Sequence, residues 1–216
     1  MSKSKSTNFA YCPLCNTCCS AYGNSTQLKH YQCSVCEALF IPQKDQLSFS
    51  EEKERYLLHS GEINDGYRNF VKPLVDLIAN ENTTTAIGLD LGAGHSAIAA
   101  LMLSEKGFTM EKYDPYFHPD RSVLDKQYDF IVSCEVIEHF AHPKQEFEKI
   151  NNLLKVGGKI YCKTEFYDSN INFETWYYKN DPTHVFIYTH KTIQWIQKEM
   201  GFSHAVINGR IAVLTK

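Results

Sequence analysis

From residue 66 onward, short apolar runs alternate with stripes of helical period. Ala86-Ile-Gly-Leu89 is an apolar run that leads into Asp90-Leu-Gly-Ala-Gly94. The pair predicts a buried strand, a glycine turn and a helix over about Ser96 to Leu103. A second strand is expected from Phe108 to Tyr113, closing on Asp114, and a third in Tyr128-Asp-Phe-Ile-Val-Ser-Cys134. Leu154-Lys-Val-Gly-Gly-Lys-Ile160 opens a fourth, with a strand over Lys159–Thr164. Upstream, Tyr67, Phe70, Val71, Leu74, Val75 and Ile78 are spaced 3, 1, 3, 1 and 3 apart, which marks one face of a helix. Pro73 inside that stripe predicts a kink, or a helix that starts near Lys72. A short helix is expected from Glu51 to Ser60, stopped by Gly61, and another from Thr192 to Met200, stopped by Gly201. Strands over His204–Asn208 and Arg210–Leu214 flank Asn208-Gly209, a type I′ hairpin signal.

Strands alternating with helices make the fold class α/β. A chain of 216 residues fits one main domain plus a small one. The expected division is 1–45, 46–80 and 81–216. Apolar content of 43% supports a packed core. A net charge of −3 gives no global basic field to attract nucleic acid or a membrane surface. No run of about 18 apolar residues is present, so no membrane span is expected. Met1 to Asn8 is polar and lacks the apolar stretch of a secretory signal, so a cytoplasmic location is expected.

Cysteine placement changes that picture at the N-terminus. Six of the eight cysteines lie before residue 37. Cys12-Pro-Leu-Cys15 and Cys33-Ser-Val-Cys36 form two CxxC pairs on either side of the stretch 16–32. In a reducing compartment such clustering favours metal over disulfides. Four thiolates suit a closed, structural Zn²⁺ site, and the metal would supply folding energy that about 30 residues cannot find in a core of their own. Residues 1–45 therefore read as a zinc ribbon. Cys18 and Cys19 are spare. The module's small excess of lysine does not argue for nucleic-acid binding. A stabilising or substrate-covering role and a role in recognising RNA or protein both stay open.

The ordered set of Asp90-Leu-Gly-Ala-Gly94, Tyr113-Asp114, Glu135-Val-Ile-Glu-His139 and Leu154-Lys-Val-Gly-Gly-Lys-Ile160 resembles the class I S-adenosylmethionine (SAM)-dependent methyltransferases. The resemblance covers roughly Gly66 to Lys216. It implies a Rossmann-like, mostly parallel sheet of seven strands behind the ribbon, with SAM as cofactor. Gly92 and Gly94 would supply the turn against the aminocarboxylate, and Asp90 would orient the loop or meet the ammonium group. Asp114, at the end of the strand after the glycine turn, stands where a ribose-binding acid is expected. Cys134 and Glu135 would lie beside the methionine portion. Tyr67, in the segment that covers the cofactor, is the candidate contact there, with a core aromatic as the favoured reading. An NAD site also needs such an acid, but Ala97 stands where GxGxxG has its third glycine. The stretch between Asp114 and Tyr128 is short, so the usual strand and helix there must be abbreviated. Phe117 and Leu124 fall in the region that would meet adenine.

Glu135, Glu138 and His139 are spaced i, i+3 and i+4, so a helix beginning at Glu135 would put all three on one face. His184 in Asp181-Pro-Thr-His184 offers a fourth group. These segments resemble the small-RNA 2′-O-methyltransferases and the ubiquinone-pathway O-methyltransferases. By that resemblance Glu135, Glu138, His139 and His184 would hold a second divalent metal. The same motif occurs in metal-free relatives, where Glu138 would cap or pair and His139 or His184 would act as general base or His139 would simply pack. Trp176, Tyr177 and Tyr178, with Phe166 and Phe173, would line an acceptor pocket or form a lid core. The reading that follows is a methyltransferase acting on an oxygen of a small hydroxylated metabolite. The alternatives are an RNA methyltransferase guided by the ribbon, a protein acceptor, and a non-catalytic SAM-binding scaffold.

Overall fold

The computed structural model of the chain describes residues 9–24, 28–58 and 64–216. Four short strands build the N-terminal ribbon: β1 (Phe9–Tyr11), β2 (Cys18–Tyr22), β3 (His30–Gln32) and β4 (Leu39–Phe40). Helices α1 (Phe49–Leu58) and α2 (Asp65–Glu81) follow. The expected stop of the first helix at Ser60 and Gly61 lies outside the described residues. Asn64 caps α2, its side chain accepting the Tyr67 N–H at 2.9 Å. Val71, Leu74, Val75 and Ile78 are buried as the stripe requires. Pro73 lies inside this helix, which begins at Asp65 rather than near Lys72.

The main sheet is built from β5 (Ile87–Leu91), β6 (Thr109–Tyr113), β7 (Tyr128–Cys134), β8 (Leu154–Lys163), β10 (His204–Asn208) and β11 (Ile211–Thr215). Their order is β10-β11-β8-β7-β5-β6. Four neighbouring strands, β6, β5, β7 and β8, run parallel, and the β10–β11 hairpin is antiparallel. Among the described residues the sheet thus has six strands, not seven. The short stretch after Asp114 makes a two-way bridge with His118 and a single 3₁₀ turn, Arg121–Asp125, and contributes no strand. Asn208 pairs with Ile211, so the hairpin loop is Gly209-Arg210, one position later than expected. Gly209 has φ +56° while Arg210 is not in the left-handed region, so the turn is not type I′.

Helices cover both faces. Against one, α2 and α3 (Ile98–Glu105) pack Leu74, Val75, Ile98 and Leu103 on Phe130, Val132 and Tyr161. Against the other, α4 (Pro143–Leu153) and α5 (His190–Glu199) bring Phe147, Ile150, Ile193 and Ile196 onto Leu89, Ile131 and Ile160. That second core runs on into the ribbon through Leu14, Tyr31 and Phe40. The ribbon sheet also takes a fifth strand from the main domain: β9 (Phe186–Ile187) pairs antiparallel with β4. Among the described residues no helix is long and apolar enough to cross a membrane.

Candidate functional site

Parallel strands β5 and β6 end side by side, next to the point where the strand order reverses and ligands settle in open α/β sheets. The backbone N–H groups of Gly92 and Ala93 donate to the Tyr113 carbonyl at 2.8 and 3.1 Å. The Gly94 N–H donates to Asp114 Oδ2 at 3.0 Å, and those of Tyr116 and Phe117 to Oδ1 at 2.8 and 3.0 Å. Asp114 is therefore rigidly held while keeping acceptor capacity for a further donor. Gly92 (φ +78°) and Gly94 (φ +62°) sit in the left-handed region. A Cβ on Gly92 would fall 2.4 Å from Val136, whereas one on Gly94 would meet nothing within 4 Å. Open space in front of Gly94 is what a close-approaching ligand requires.

Asp90 is 2% exposed and accepts the Ala100 N–H at 3.0 Å. It thereby caps α3 in place of Ala97, whose αL backbone delays the helix start to Ile98. Burial pushes its carboxyl up to about 7, against the pull of that N–H.

A cavity of about 960 Å³ opens over these strand ends. Asp90, Gly92, Gly94, Asp114, Cys134, Glu135 and Tyr67 all line it, as do Phe117, Leu124 and His139. Tyr67 is 40% exposed, a wall residue rather than a core aromatic. An extended cofactor with a polar amino-acid end and a planar ring end fits this donor set and this volume.

Beyond Cys134 the chain does not enter the expected α-helix. Glu135 takes φ +54°, and only a 3₁₀ turn follows, Ile137–His139. The three side chains therefore do not share a face. Glu135 turns to Arg210, whose Nη2 lies 2.9 and 3.1 Å from its two oxygens. Burial and the neighbouring Glu138 push the Glu135 carboxyl up to about 8, with Arg210 pulling the other way. Glu138 is fully buried and accepts the Tyr178 hydroxyl at 2.5 Å and that of Thr164 at 3.0 Å.

His139 and His184 do meet, their rings 5.1 Å apart. His139 Nδ1 lies 2.8 Å from the Thr183 carbonyl and His184 Nδ1 lies 2.7 Å from the Tyr178 carbonyl. A carbonyl only accepts, so both Nδ1 atoms carry a proton, and in the neutral rings both Nε2 atoms keep a lone pair. Burial, then the neighbouring His139, pulls the His184 pKa down. One ligand atom from each of Glu138, His139 and His184 lies within 4.8 Å of the others. Glu135 stands outside that group.

In the ribbon, Cys12, Cys15, Cys33 and Cys36 converge. Their sulfurs stand 3.6 Å (Cys12–Cys36), 3.3 Å (Cys15–Cys33) and 3.8 Å (Cys15–Cys36) apart. Tetrahedral thiolates at about 2.3 Å from Zn²⁺ would be about 3.8 Å apart, so the set fits. The N–H groups of Val35 and Cys36 point to Cys33 Sγ at 3.4 Å. The bond from Cys36 holds the Cys12 thiol down to about 6. Cys18 is exposed and Cys19 donates to the Thr17 carbonyl instead.

The aromatic insertion does not line the cavity. Phe173, Trp176 and Tyr178 pack with Tyr167, Leu39 and Ile187, joining the ribbon to the main domain as a core. Several polar residues of the site carry no signal in the sequence. Arg55 meets Asp181 with two bonds of 3.1 Å, and Glu52 accepts the hydroxyls of Tyr56 (2.9 Å) and Tyr116 (2.7 Å). Burial works against the Asp181 charge, but Arg55 and Thr183 hold its carboxyl well below the usual range. Nothing in local spacing marks these pairs, because the partners are distant in the chain or rest on one exposed helix.

Residues 64–205 match the family model of the methyltransferase domain. Among curated proteins, the ubiquinone biosynthesis O-methyltransferase of Klebsiella pneumoniae subsp. pneumoniae is 28% identical over 91 residues, 42% of this chain and 37% of that protein. The enzyme of the same name from Dinoroseobacter shibae is 30% identical over 83 residues, 37% of this chain and 32% of that one. The chain spans less than half the length of these relatives. Among solved structures, an O-methyltransferase family protein from Burkholderia thailandensis superposes with a TM-score of 0.50 at 16% identity, covering 70% of this chain and 57% of that one.

Proposed function

Since the chain belongs to the class I SAM-dependent methyltransferase family, we propose that it moves the methyl group of SAM to a hydroxyl oxygen of a small acceptor. The observation that carries this reading is the cavity that joins the glycine turn, the Asp114 carboxylate and an imidazole with a free Nε2. SAM supplies a methyl group activated on a sulfonium. Asp114 accepts from the ribose hydroxyls, the turn at Gly92 and Gly94 leaves room for the aminocarboxylate, and Asp90, Cys134, Glu135 and Tyr67 complete the wall. His139 Nε2 takes the acceptor's hydroxyl proton as the oxygen–carbon bond forms and the sulfur–carbon bond breaks. An oxygen acceptor is favoured by the relatives' printed activity and by a base poised to take a hydroxyl proton. A small acceptor is favoured by the weak charge and by the burial of the aromatics that would otherwise stack on bases.

One observation favours a second divalent ion at the acceptor end. Two imidazoles pinned through Nδ1 beside a buried carboxylate are the arrangement that metal-bound histidines usually adopt. Glu138, His139 and His184 would hold the ion and Glu135 would not; His139 would then ligate through the same Nε2 that otherwise serves as base, so this arrangement replaces the base. The ion would lower the pKa of an acceptor hydroxyl. In the ribbon, Cys12, Cys15, Cys33 and Cys36 would hold a structural zinc.

Calorimetry with S-adenosylhomocysteine tests the core of the proposal. Wild-type protein binds it, and Asp114→Ala weakens binding by roughly 100-fold, the loss of two hydrogen bonds to a charged acceptor. Unchanged affinity removes Asp114 from the site. Incubation with SAM and a panel of catechols, read by mass spectrometry, then separates the readings. A product insensitive to chelator excludes the second ion. Methylation of RNA in place of the catechols moves the acceptor class to the guided-RNA alternative. Binding with no transfer to any acceptor leaves the scaffold.

A further inference from the structure

Helix α1 reaches over the cavity with Glu52 and Tyr56 on its wall, yet none of its residues is buried. It is held by the rings of Phe49 and Tyr56 against Tyr116, 4.7 and 5.5 Å apart, and by polar tethers. One lies at the cofactor rim, where Glu52 accepts the hydroxyl of Tyr116, whose own N–H is bound to Asp114. Another lies beside the loop that meets His139. There Arg55 Nε and Nη2 donate to Asp181 Oδ1 and Oδ2, each at 3.1 Å, the paired geometry that only a guanidinium gives. Between these tethers the Tyr56 ring stands edge-on to His139, 5.6 Å away.

Asp181 does more than receive the helix. Its Oδ1 also accepts the N–H (3.0 Å) and the hydroxyl (2.7 Å) of Thr183. Those bonds hold residue Thr183, whose carbonyl, on the following peptide, accepts His139 Nδ1–H at 2.8 Å and the Val185 N–H at 3.0 Å. Pro182 stiffens the turn between them. The far side of the loop is anchored to the ribbon, where the Ile41 N–H donates to the Val185 carbonyl at 2.9 Å.

We propose that Asp181 is a positioning residue that couples closure of the cavity to the orientation of His139. With α1 docked, Arg55 holds the carboxylate, the carboxylate holds Thr183, and the Thr183 carbonyl keeps the His139 proton on Nδ1. Nε2 is then free to accept only while the lid is down. The tautomer of an imidazole follows the bond made by its other nitrogen, so loosening Thr183 releases Nε2 to carry the proton itself. This coupling rests on the reading of the cavity as the SAM site.

The test uses full-length protein, S-adenosylhomocysteine as probe, and two readouts that need no acceptor. Stopped-flow dissociation of the probe reports the lid. Long-range ¹H–¹⁵N spectra of the histidine rings report the tautomer of His139. Arg55→Met should speed probe release by about 10-fold, the worth of one charged, paired hydrogen bond, and Arg55→Lys should restore part of the difference. Asp181→Ala should speed release at least as much and shift the His139 ring from a single Nδ1–H form to an average of two. The double variant should release the probe no faster than Asp181→Ala alone. Should Asp181→Ala fail to fold, Asp181→Asn takes its place: it keeps an acceptor for Thr183 and loses the charge for Arg55, so it should affect release more than the tautomer. Unchanged release in Arg55→Met, additive effects in the double variant, or an unmoved His139 spectrum when Asp181 is truncated would overturn the coupling. If the wild-type protein fails to bind the probe, it is the SAM reading that fails. Normal binding with unmoved His139 signals sinks the coupling alone.

Discussion

Asp90→Asn separates the fold's need for this position from the cofactor's. The Asp90 carboxyl is buried at 2% exposure, and burial carries it from an ordinary 3.8 to about 7, with the Ala100 N–H opposing. Below pH ~4 folded and unfolded chains both hold the proton, and nothing is lost. Between the two values the unfolded chain releases a proton that the fold retains, so stability falls as pH rises. At pH 5 the cost is about 2 kcal/mol, and at pH 8, above the folded value, about 4 kcal/mol. Asparagine cannot ionise, and its Oδ1 still accepts the Ala100 N–H. The variant's advantage over wild type should therefore grow by about 2–3 kcal/mol from pH 5 to pH 8. For a chain of this length that is roughly 5–10 °C in melting temperature. Urea unfolding of both proteins at the two pH values, without S-adenosylhomocysteine, measures it. An advantage that is the same at pH 5 and pH 8, or absent at both, refutes the claim that the fold holds the Asp90 proton up to about pH 7.

Three further outcomes follow from the geometry. Gly94→Ala places a Cβ where no atom lies within 4 Å, at φ +62°; it should cost only about 1–2 kcal/mol in stability yet weaken S-adenosylhomocysteine binding at least 10-fold by calorimetry. Gly92→Ala drives its Cβ to 2.4 Å from Val136, so its main effect should be an additional destabilisation of about 1–3 kcal/mol from overpacking, read by thermal melting. Elemental analysis should return about one zinc per chain, the stoichiometry of a four-thiolate site, and Cys12→Ser with Cys36→Ser should remove it; a full zinc complement in that double variant would exclude these thiolates.

What the sequence reveals of the fold is whatever depends on neighbours along the chain. The stripe from Tyr67 to Ile78 and the strand before Gly92 declare themselves through period, and the hairpin after Gly201 through its Asn-Gly pair, although its loop falls one position later. Where a tertiary partner replaces a local one, the local rule misleads. Ala97 makes a poor helix cap, and local rules misplace the helix start because the capping carboxylate belongs to Asp90 on the preceding strand. Pro73 marks a late helix start by local rules, but Asn64 caps the segment well upstream and four buried side chains hold it against the sheet. The seventh strand is an expectation from resemblance, although the short stretch between Asp114 and Tyr128 leaves too little chain for a strand and a helix.

The site divides along the same line. Its proposed cofactor half lies on three strand ends that the sheet topology makes adjacent, so Asp90, Gly92, Gly94, Asp114 and Cys134, expected there from the resemblance, are all brought to one cavity. The acceptor half is assembled from segments far apart in the chain. There the spacing argument fails for Glu135: i, i+3 and i+4 share a face only in a continuous helix, and the left-handed backbone at Glu135 rotates its side chain away to Arg210. Glu138 and His139 sit on a 3₁₀ turn, and His184 is brought to them from the loop before β9, which pairs with β4 of the ribbon. The ribbon's thiolates and the histidine pair are thus parts of one construction. Ile41 and Cys36 bond the loop before β9 and the start of α5, so an order-disorder change in the ribbon would move His184 before it moved Asp114. The proposed zinc site would in this way set the geometry of a proposed reaction site that it never touches.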